Sequence, residues 1–231
     1  MFSNSGITSL TIPNTLETVK AFAFNGCTSL GTVNIVDGTN PLIIEYYAPF
    51  INSPLTNVHL GREVKAKGGS DYKPGSQYSG LLYNKTPYAD IDEVIVTISD
   101  HVQTIYPYTF SYLKLKSITI PASVTLIRAN AFTDCTYLNT IVFEESSTPL
   151  QISCMHTAQI NQGPFHDTSL TSITLGREIS YCNDGSGGLV DFVPTATDQG
   201  LFSCKYDAES LSVTLSNNVQ TISNYMFTGT N

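Results

Sequence analysis

The chain has few charged residues, an excess of acids over bases and no long apolar run. Among its 231 residues, 11 are Lys or Arg and 19 are Asp or Glu, which gives a net charge of −8. The densest basic cluster is only Lys65-Ala66-Lys67. Nucleic-acid binding needs a concentrated basic surface, so the sequence disfavours it. No stretch approaches the roughly 18 apolar residues of a membrane-spanning helix, so no membrane span is predicted in this segment.

Groupings typical of enzymes and metalloproteins are also missing. No His-x-x-x-His or Cys-x-x-Cys spacing occurs, and the histidines are scattered at His59, His101, His156 and His166. His59 is predicted to be a solvated residue on an outward strand position. The acidic group at 90–93 lacks the pattern of a calcium loop, and the glycine-rich residues 184–188 lack the lysine of a phosphate loop. The sequence therefore predicts no catalytic residue, no metal site and no cofactor.

The chain does contain one sequence motif that occurs twice. Thr11-Ile12-Pro13, Val19, Ala23-Phe24, Cys27 and Leu30 reappear 108 residues later as Thr119-Ile120-Pro121, Ile127, Ala131-Phe132, Cys135 and Leu138. Two further pairs of segments match at somewhat longer offsets, residues 60–64 with 175–179 and residues 102–105 with 219–222. Such self-similarity indicates repeats that bury their apolar faces only against neighbouring repeats.

Smaller units divide this long period. Each has a Leu-x-x-Ile-x-Ile strand, a turn, a Val-x-x-Ile segment and a Phe, and the pattern predicts about eight repeats of irregular length in two super-repeats of four. Parallel strands should stack coil on coil, with one Phe per coil in a continuous apolar column. The predicted structural core is Phe24, Cys27, Phe50, Phe110, Phe132, Cys135, Phe165, Phe202 and Phe227.

The five cysteines fall into two groups. Cys27 and Cys135 share one repeat position and lie four coils, or roughly 19 Å, apart. A disulfide needs Cα atoms within about 7 Å, so these two are interpreted as small buried hydrophobic residues. Cys154, Cys182 and Cys204 lie close together in the second half, where either Cys154 with Cys182 or Cys182 with Cys204 would pair across adjacent coils.

These motifs resemble the leucine-rich repeats of the BspA-like type, found in surface proteins of host-associated bacteria and some protist parasites. The resemblance covers essentially the whole chain and is most specific in residues 10–30 and 118–138. It implies a leucine-rich-repeat solenoid of the right-handed β/α superhelix class, mostly β, with stacked parallel strands and short helical or irregular turns. We expect residues 1–231 to form a single domain, a segment of a longer chain cut at both ends.

Long insertions are the best candidates for a binding surface. Residues 65–80 and 180–200 follow matching strands, so they are expected on the same side of the solenoid, and residues 36–49 and 144–164 would widen that surface. Tyrosines among Gly and Ser are typical of adaptable binding loops. The candidate binding residues are Tyr72, Lys73, Tyr78, Tyr181, Asp184, Asp191 and Phe192.

Two functions fit this reading. The resemblance implies a non-enzymatic, cell-surface or secreted adhesion module, which presents loops and a Thr/Ser-rich strand face to an extracellular protein or glycan of host or microbial origin. The alternative is a structural spacer that holds another domain away from the cell envelope. A binder should expose a contiguous aromatic patch at its insertions, whereas a spacer should not.

Overall fold

The computed structural model of the protein describes residues 2–45, 49–67, 93–157, 160–185, 188–191, 202, 210–224 and 226–227. Within these ranges the chain forms strands joined by irregular turns, and no helix. The strands are β1 (Ser9–Ile12), β2 (Thr18–Val19), β3 (Thr32–Ile35), β4 (Leu42–Ile44), β5 (Asn57–Leu60), β6 (Val64–Ala66), β7 (Ile95–Ile98), β8 (Thr104–Ile105), β9 (Ser117–Ile120), β10 (Leu126–Ile127), β11 (Thr140–Phe143), β12 (Leu150–Thr157), β13 (Ile160–Gln162), β14 (Ser172–Leu175), β15 (Ile179–Gly185), β16 (Gly188–Asp191) and β17 (Ser212–Leu215).

The Leu-x-x-Ile-x-Ile segments form one set of four-residue strands. They stack in parallel as two separate ladders, β1-β3-β5-β7 and β9-β11-β14-β17. Register is kept by the apolar positions: Val33 lies opposite Leu10 and Ile35 opposite Ile12, so each inward side chain stacks on its equivalent in the next coil. The chain is therefore a leucine-rich-repeat solenoid, as the repeats predict.

The Val-x-x-Ile segments form a second set of strands. These also stack in parallel, as β2-β4-β6 and as β8-β10-β12-β15. In the second group β12 and β15 are long, and each is followed by a strand that pairs with it in the antiparallel direction, β13 with β12 and β16 with β15. The insertions at 144–164 and 180–200, interpreted from sequence as loops, thus contain paired strands in their described parts.

Phenylalanine rings form the predicted column. Successive rings lie 5.1–5.6 Å apart between centroids and are nearly parallel, in the groups Phe2-Phe24-Phe50 and Phe110-Phe132-Phe165-Phe202-Phe227. All the predicted core residues are buried except Phe227, which is partly buried. Leu82, which replaces Phe in the coil between the two groups, lies outside the described residues.

A left-handed residue lies two positions after six of the Phe residues of the column. Its φ lies between +57° and +70° at Asn4, Gly26, Asn52, Tyr112, Asp134 and Asp167. Asn, Asp and Gly adopt this conformation most readily, which explains why they recur there. The turn reverses the chain beside the aromatic column and directs the next residue inward.

In three coils that inward residue donates a hydrogen bond to the preceding coil. The Cys27 Sγ donates to the carbonyl of Phe2 at 3.0 Å, and the Cys135 Sγ donates to Phe110 at 2.9 Å. Ser53, at the same position, donates to Phe24 at 2.8 Å. Burial raises the pKa of Cys135 to about 12. These cysteines are therefore both buried apolar groups, as interpreted, and hydrogen-bond donors that join successive coils.

Neither of the disulfides considered above forms. Cys154 and Cys182 are both buried, and neither is in a disulfide; Cys204 lies outside the described residues. In the ladder between β12 and β15, Cys182 lies opposite Ser153, and Cys154 lies opposite Asn183. The two cysteines are thus offset by one residue, and successive side chains of a strand point to opposite faces.

A buried arginine joins coils in each half of the molecule. Arg62 is 1% exposed and Arg177 is 0% exposed. The Arg62 guanidinium donates to the carbonyls of Pro13, Asn14, Leu16 and Asn40 at 2.7–3.1 Å. Arg177 donates to the carbonyls of Pro121 and Ala122 at 2.9 and 3.0 Å. These arginines belong to the matched segments 60–64 and 175–179, whose repetition is thereby explained.

The glycine before each arginine allows close approach of the neighbouring coil. A Cβ on Gly61 would collide with the carbonyl oxygen of Ile35, and a Cβ on Gly176 with that of Phe143. Both contacts are with backbone, which has little freedom to move away. Only glycine therefore fits between the strand and the buried arginine.

Candidate binding cleft

The first strand set contains two ladders, and the last strand of one, β7, lies next to the first strand of the other, β9. These strands are adjacent in space, but no ladder joins them. The next strand along the chain, β8, pairs instead with β10. The coil that contains β7 and β8 therefore belongs to the first half through one strand and to the second half through the other.

A proline explains why the ladder stops. After the paired strands of this set, the first residue beyond the strand donates its N–H to the preceding coil at 2.9–3.0 Å: Val36 to Ile12, Gly61 to Ile35, Ser99 to Leu60, Glu144 to Ile120, Gly176 to Phe143 and Ser216 to Leu175. Pro121 occupies this position after β9 and has no N–H. Pro13 occupies it after β1, the first strand of the other ladder. Each proline thus marks the strand that begins a ladder.

The break leaves backbone groups of both strands directed into the gap. Ile95 and Ser99 donate their N–H groups to β5 or to the residue that precedes it, so the alternate residues Val96 and Ile98 point their peptide groups toward β9. On the other side the ladder to β11 uses the alternate residues of β9, so Ser117 and Thr119 face β7. The gap is therefore bordered by unpaired peptide donors and acceptors of two strand edges.

This gap is a cleft of about 300 Å³. Its floor is apolar, with Val96 and Ile118 only 9% and 3% exposed. Hydroxyl-bearing residues and an exposed Ile95 line its walls, and Glu93 and Glu144 are also among its lining residues. None of the described residues that line it is basic. The cleft thus combines an apolar floor, peptide edges and negative charge.

A polar network lies beside the cleft on the outer face of β5 and β7. The His59 ring is hydrogen-bonded through Nδ1 to the Thr97 hydroxyl at 2.9 Å and through Nε2 to the Asp37 carboxylate at 3.1 Å. Hydrogen bonds from His59 and Ser99 lower the pKa of Asp37. The His59 side chain is 36% exposed, as predicted for a surface position, but both ring nitrogens are engaged. The network therefore holds Thr97 at the cleft wall in one orientation.

Glu144 connects the cleft to the buried arginine of the second half. Its Oε2 accepts the Ala122 N–H at 3.0 Å. Burial lowers the pKa of Arg177, and the charge of Glu144 partly offsets that effect. The carboxylate therefore supports the turn after β9 while it also adds negative charge to the cleft.

The residues predicted from sequence to bind do not lie at this cleft. Tyr72, Lys73, Tyr78 and Phe192 are outside the described residues. Asp184 and Asp191 belong to β15 and β16. Tyr181 lies within β15 opposite Ile152 and is only 4% exposed. The expectation that Tyr181 is displayed on a loop is therefore corrected, because strand pairing turns this side chain into the core.

The cleft itself was missed by the sequence reasoning. A usable signal is present, since Pro121 follows a strand whose equivalents are followed by residues that carry an N–H. Proline at that position predicts an edge strand. In the described part of the chain, no group of three or more His, Cys, Asp or Glu residues is placed to hold a metal ion. No described helix is long and apolar enough to cross a membrane.

Comparison with known families agrees with the repeats. A family model described as the BspA type leucine rich repeat region matches six copies over residues 1–77 and 91–186, which is most of the chain. Searches against curated proteins and against solved structures find no match.

Proposed function

Because the chain belongs to the BspA-type leucine-rich repeat family, whose members are generally surface repeat or binding modules, we propose that it is a non-enzymatic binding module at the cell surface or in secreted form. It presents the outer strand face and the cleft between β7 and β9 to an extracellular protein or glycan of host or microbial origin. The single observation that carries this proposal is the break in an otherwise regular ladder. Strand edges that are left unpaired are places where a partner gains hydrogen bonds without displacing an internal one.

The outer face supports the same role. Its side chains are mostly small hydroxyl groups, and beside the cleft it carries the fixed Asp37-His59-Thr97 network. Such a face supplies hydrogen-bond donors and acceptors, and a rigid array adds many weak contacts through multivalency. The insertion residues Tyr72, Lys73 and Tyr78 remain a proposed second contact region.

A structural spacer is the competing function. A spacer needs only the continuous solenoid, and the Phe column and the buried arginines would serve it equally well. It has no need for a gap in a ladder, because an unpaired edge reduces stability and invites unwanted pairing. The cleft therefore favours the binding module.

The test is a binding screen against immobilised fibronectin, fibrinogen, collagen and common glycans. Three proteins are compared: the unchanged chain, a variant with the cleft filled by Ser117→Trp, and a variant with Tyr72→Ser and Tyr78→Ser. Saturable binding that is lost in the first variant supports a module that uses the cleft, and loss in the second places the site on the insertion. Absence of binding by all three, with folding verified by circular dichroism, would favour the spacer.

A further inference from the structure

We propose that the cleft between β7 and β9 binds the side chain of an arginine carried on an exposed segment of a partner protein. This inference rests on the proposed function as a binding module and names the chemistry that the partner must present.

Acceptors outnumber donors in the cleft. Val96 and Ile98 on one edge, and Ser117 and Thr119 on the other, each direct one N–H and one carbonyl toward it, whereas Pro121 lacks the N–H that equivalent residues supply. The carboxylates of Glu93 and Glu144 add two further acceptors, both charged. A ligand that is complementary to this site is cationic and rich in donors.

Guanidinium fits these acceptors better than an ammonium group does. It is planar and presents five N–H donors in a fixed arrangement, whereas lysine presents a compact and strongly hydrated charge. The apolar floor of Val96 and Ile118 suits the weakly hydrated face of a guanidinium group. The array of carbonyls at different heights along two strand edges matches a forked donor.

The chain itself contains this interaction twice. Arg62 reaches between coils and donates to four backbone carbonyls, and Arg177 donates to the carbonyl of Pro121, the proline that limits the cleft. In both cases carbonyls of turns that lack ladder partners are satisfied by a guanidinium. The cleft also presents unpaired carbonyls, here from two strand edges, and no described arginine of the chain lines it.

The dimensions favour a side chain over a whole strand. A peptide inserted into the ladder would need β7 and β9 to lie about 9.6 Å apart, which is twice the normal strand spacing. The Val94 N–H donates to the carbonyl of Lys114 at 2.9 Å and so ties the two strands together at one end. A planar group enters such a gap, while a strand would have to break this bond.

The experiment measures binding of short peptides to the unchanged, isotopically labelled protein by NMR titration. The probe is the acetylated and amidated peptide Gly-Thr-Arg-Thr-Gly, compared with peptides that carry lysine or citrulline in place of arginine. Citrulline has the shape of arginine without its charge. We expect the arginine peptide to shift the amide signals of Val96, Ile98, Ser117 and Thr119, and to bind at least tenfold more tightly than the citrulline peptide and several-fold more tightly than the lysine peptide.

Variants separate the cleft from the rest of the surface. Glu93→Gln with Glu144→Gln should weaken binding of the arginine peptide about tenfold, and Pro121→Ala should weaken it by restoring an N–H opposite the Ile98 carbonyl. The matched controls are Glu17→Gln, an exposed carboxylate in the first half, and Pro13→Ala, the equivalent proline, and both should bind as the unchanged chain does. Should Pro121→Ala unfold, the glutamine variants still provide the test.

Equal affinity for the arginine and citrulline peptides would overturn the proposal, as would signal changes confined to other residues. Saturable binding of a screened partner that survives in the Glu93→Gln, Glu144→Gln variant would refute arginine recognition while leaving the binding module intact. Binding of the arginine peptide without binding of any screened partner would support arginine recognition and leave the proposed binding of those partners unsupported. Glycan binding that shifts the same amides, without arginine selectivity, would also contradict it.

Discussion

Arg62 in the first half and Arg177 in the second occupy the same repeat position, but their guanidinium groups are satisfied differently. Arg62 donates to four backbone carbonyls that come from two different turns. Among the described residues, Arg177 donates to two carbonyls, both of a single turn. Its charge is also balanced by Glu144, which occupies the position held by Val36 in the first half.

This difference shows two solutions to the burial of one cation. In the first half the charge is held only by peptide dipoles, and the surrounding turn must adopt a shape that brings four carbonyls together. In the second half a carboxylate supplies part of the compensation, so fewer carbonyls are needed. The first half therefore depends more on its arginine than the second half does.

Replacement of each arginine by methionine is the most severe test of this comparison. A carbonyl left without a donor costs about 1 kcal/mol, so Arg62→Met should reduce the free energy of unfolding by ~4 kcal/mol and Arg177→Met by ~2 kcal/mol. The measurement is urea denaturation followed by circular dichroism. Equal losses in the two variants, or a gain in stability in either, would contradict the different roles assigned here.

Substitution of the preceding glycine sharpens the comparison. The Cβ of Gly61→Ala would collide with the carbonyl oxygen of Ile35, and that of Gly176→Ala with the backbone of Phe143 and Glu144. Overpacking against backbone costs about 1–3 kcal/mol, and because both contacts are equally close we expect similar losses. Gly6→Ala, where a Cβ meets nothing within 4 Å, is the control in the same denaturation series and should change stability little.

Removal of the Glu144 carboxylate should leave Arg177 with neither a nearby negative charge nor the additional carbonyls that Arg62 has in the first half. Glu144→Val leaves Arg177 without a nearby negative charge and the Ala122 N–H without its acceptor. We expect a loss of about 1–2 kcal/mol, in the range of a lost hydrogen bond to a charged group. Val36→Ala, at the equivalent position of the first half, carries no such interaction and should lose less in the same thermal or urea unfolding assay.

The smallest effect expected is a loss of stability of the first half at acidic pH, when Asp37 becomes protonated. Its pKa is lowered by His59 and Ser99, so the folded state favours the charged carboxylate. The stabilisation is fully present above the pKa of Asp37 in the unfolded chain and is lost as the pH falls through the lower folded value. Because the pair is exposed, the effect should remain below about 1 kcal/mol.

The check is the urea midpoint between pH 6 and pH 3, for the unchanged chain and for Asp37→Asn. The variant should lose less stability over this range, because it has no carboxylate at that position to be protonated. A steeper decline in the variant than in the unchanged chain would show that Asp37 has the opposite role.

The sequence was a good guide wherever a side chain is repeated with its environment. Phe24, Phe132 and Cys135 recur at one position because each coil meets the same neighbours, so their burial follows from periodicity. It was a poor guide at 144–164 and 180–200, where polar and glycine-containing segments form strands only because β12 and β15 lie side by side. Arg62 and Arg177 were also missed as core residues, since arginine is rarely buried unless its donors are paired.

The sequence by itself determined the repeating unit, the parallel stacking of its strands and the aromatic column, because these depend on local period and on contacts between equivalent positions. Only the tertiary structure decided where the stacking stops. The break between β7 and β9 depends on a donor that Pro121 does not provide and on carbonyls contributed by a different coil. Hydrogen bonds between distant segments, unlike apolar periodicity, leave no regular pattern along the chain.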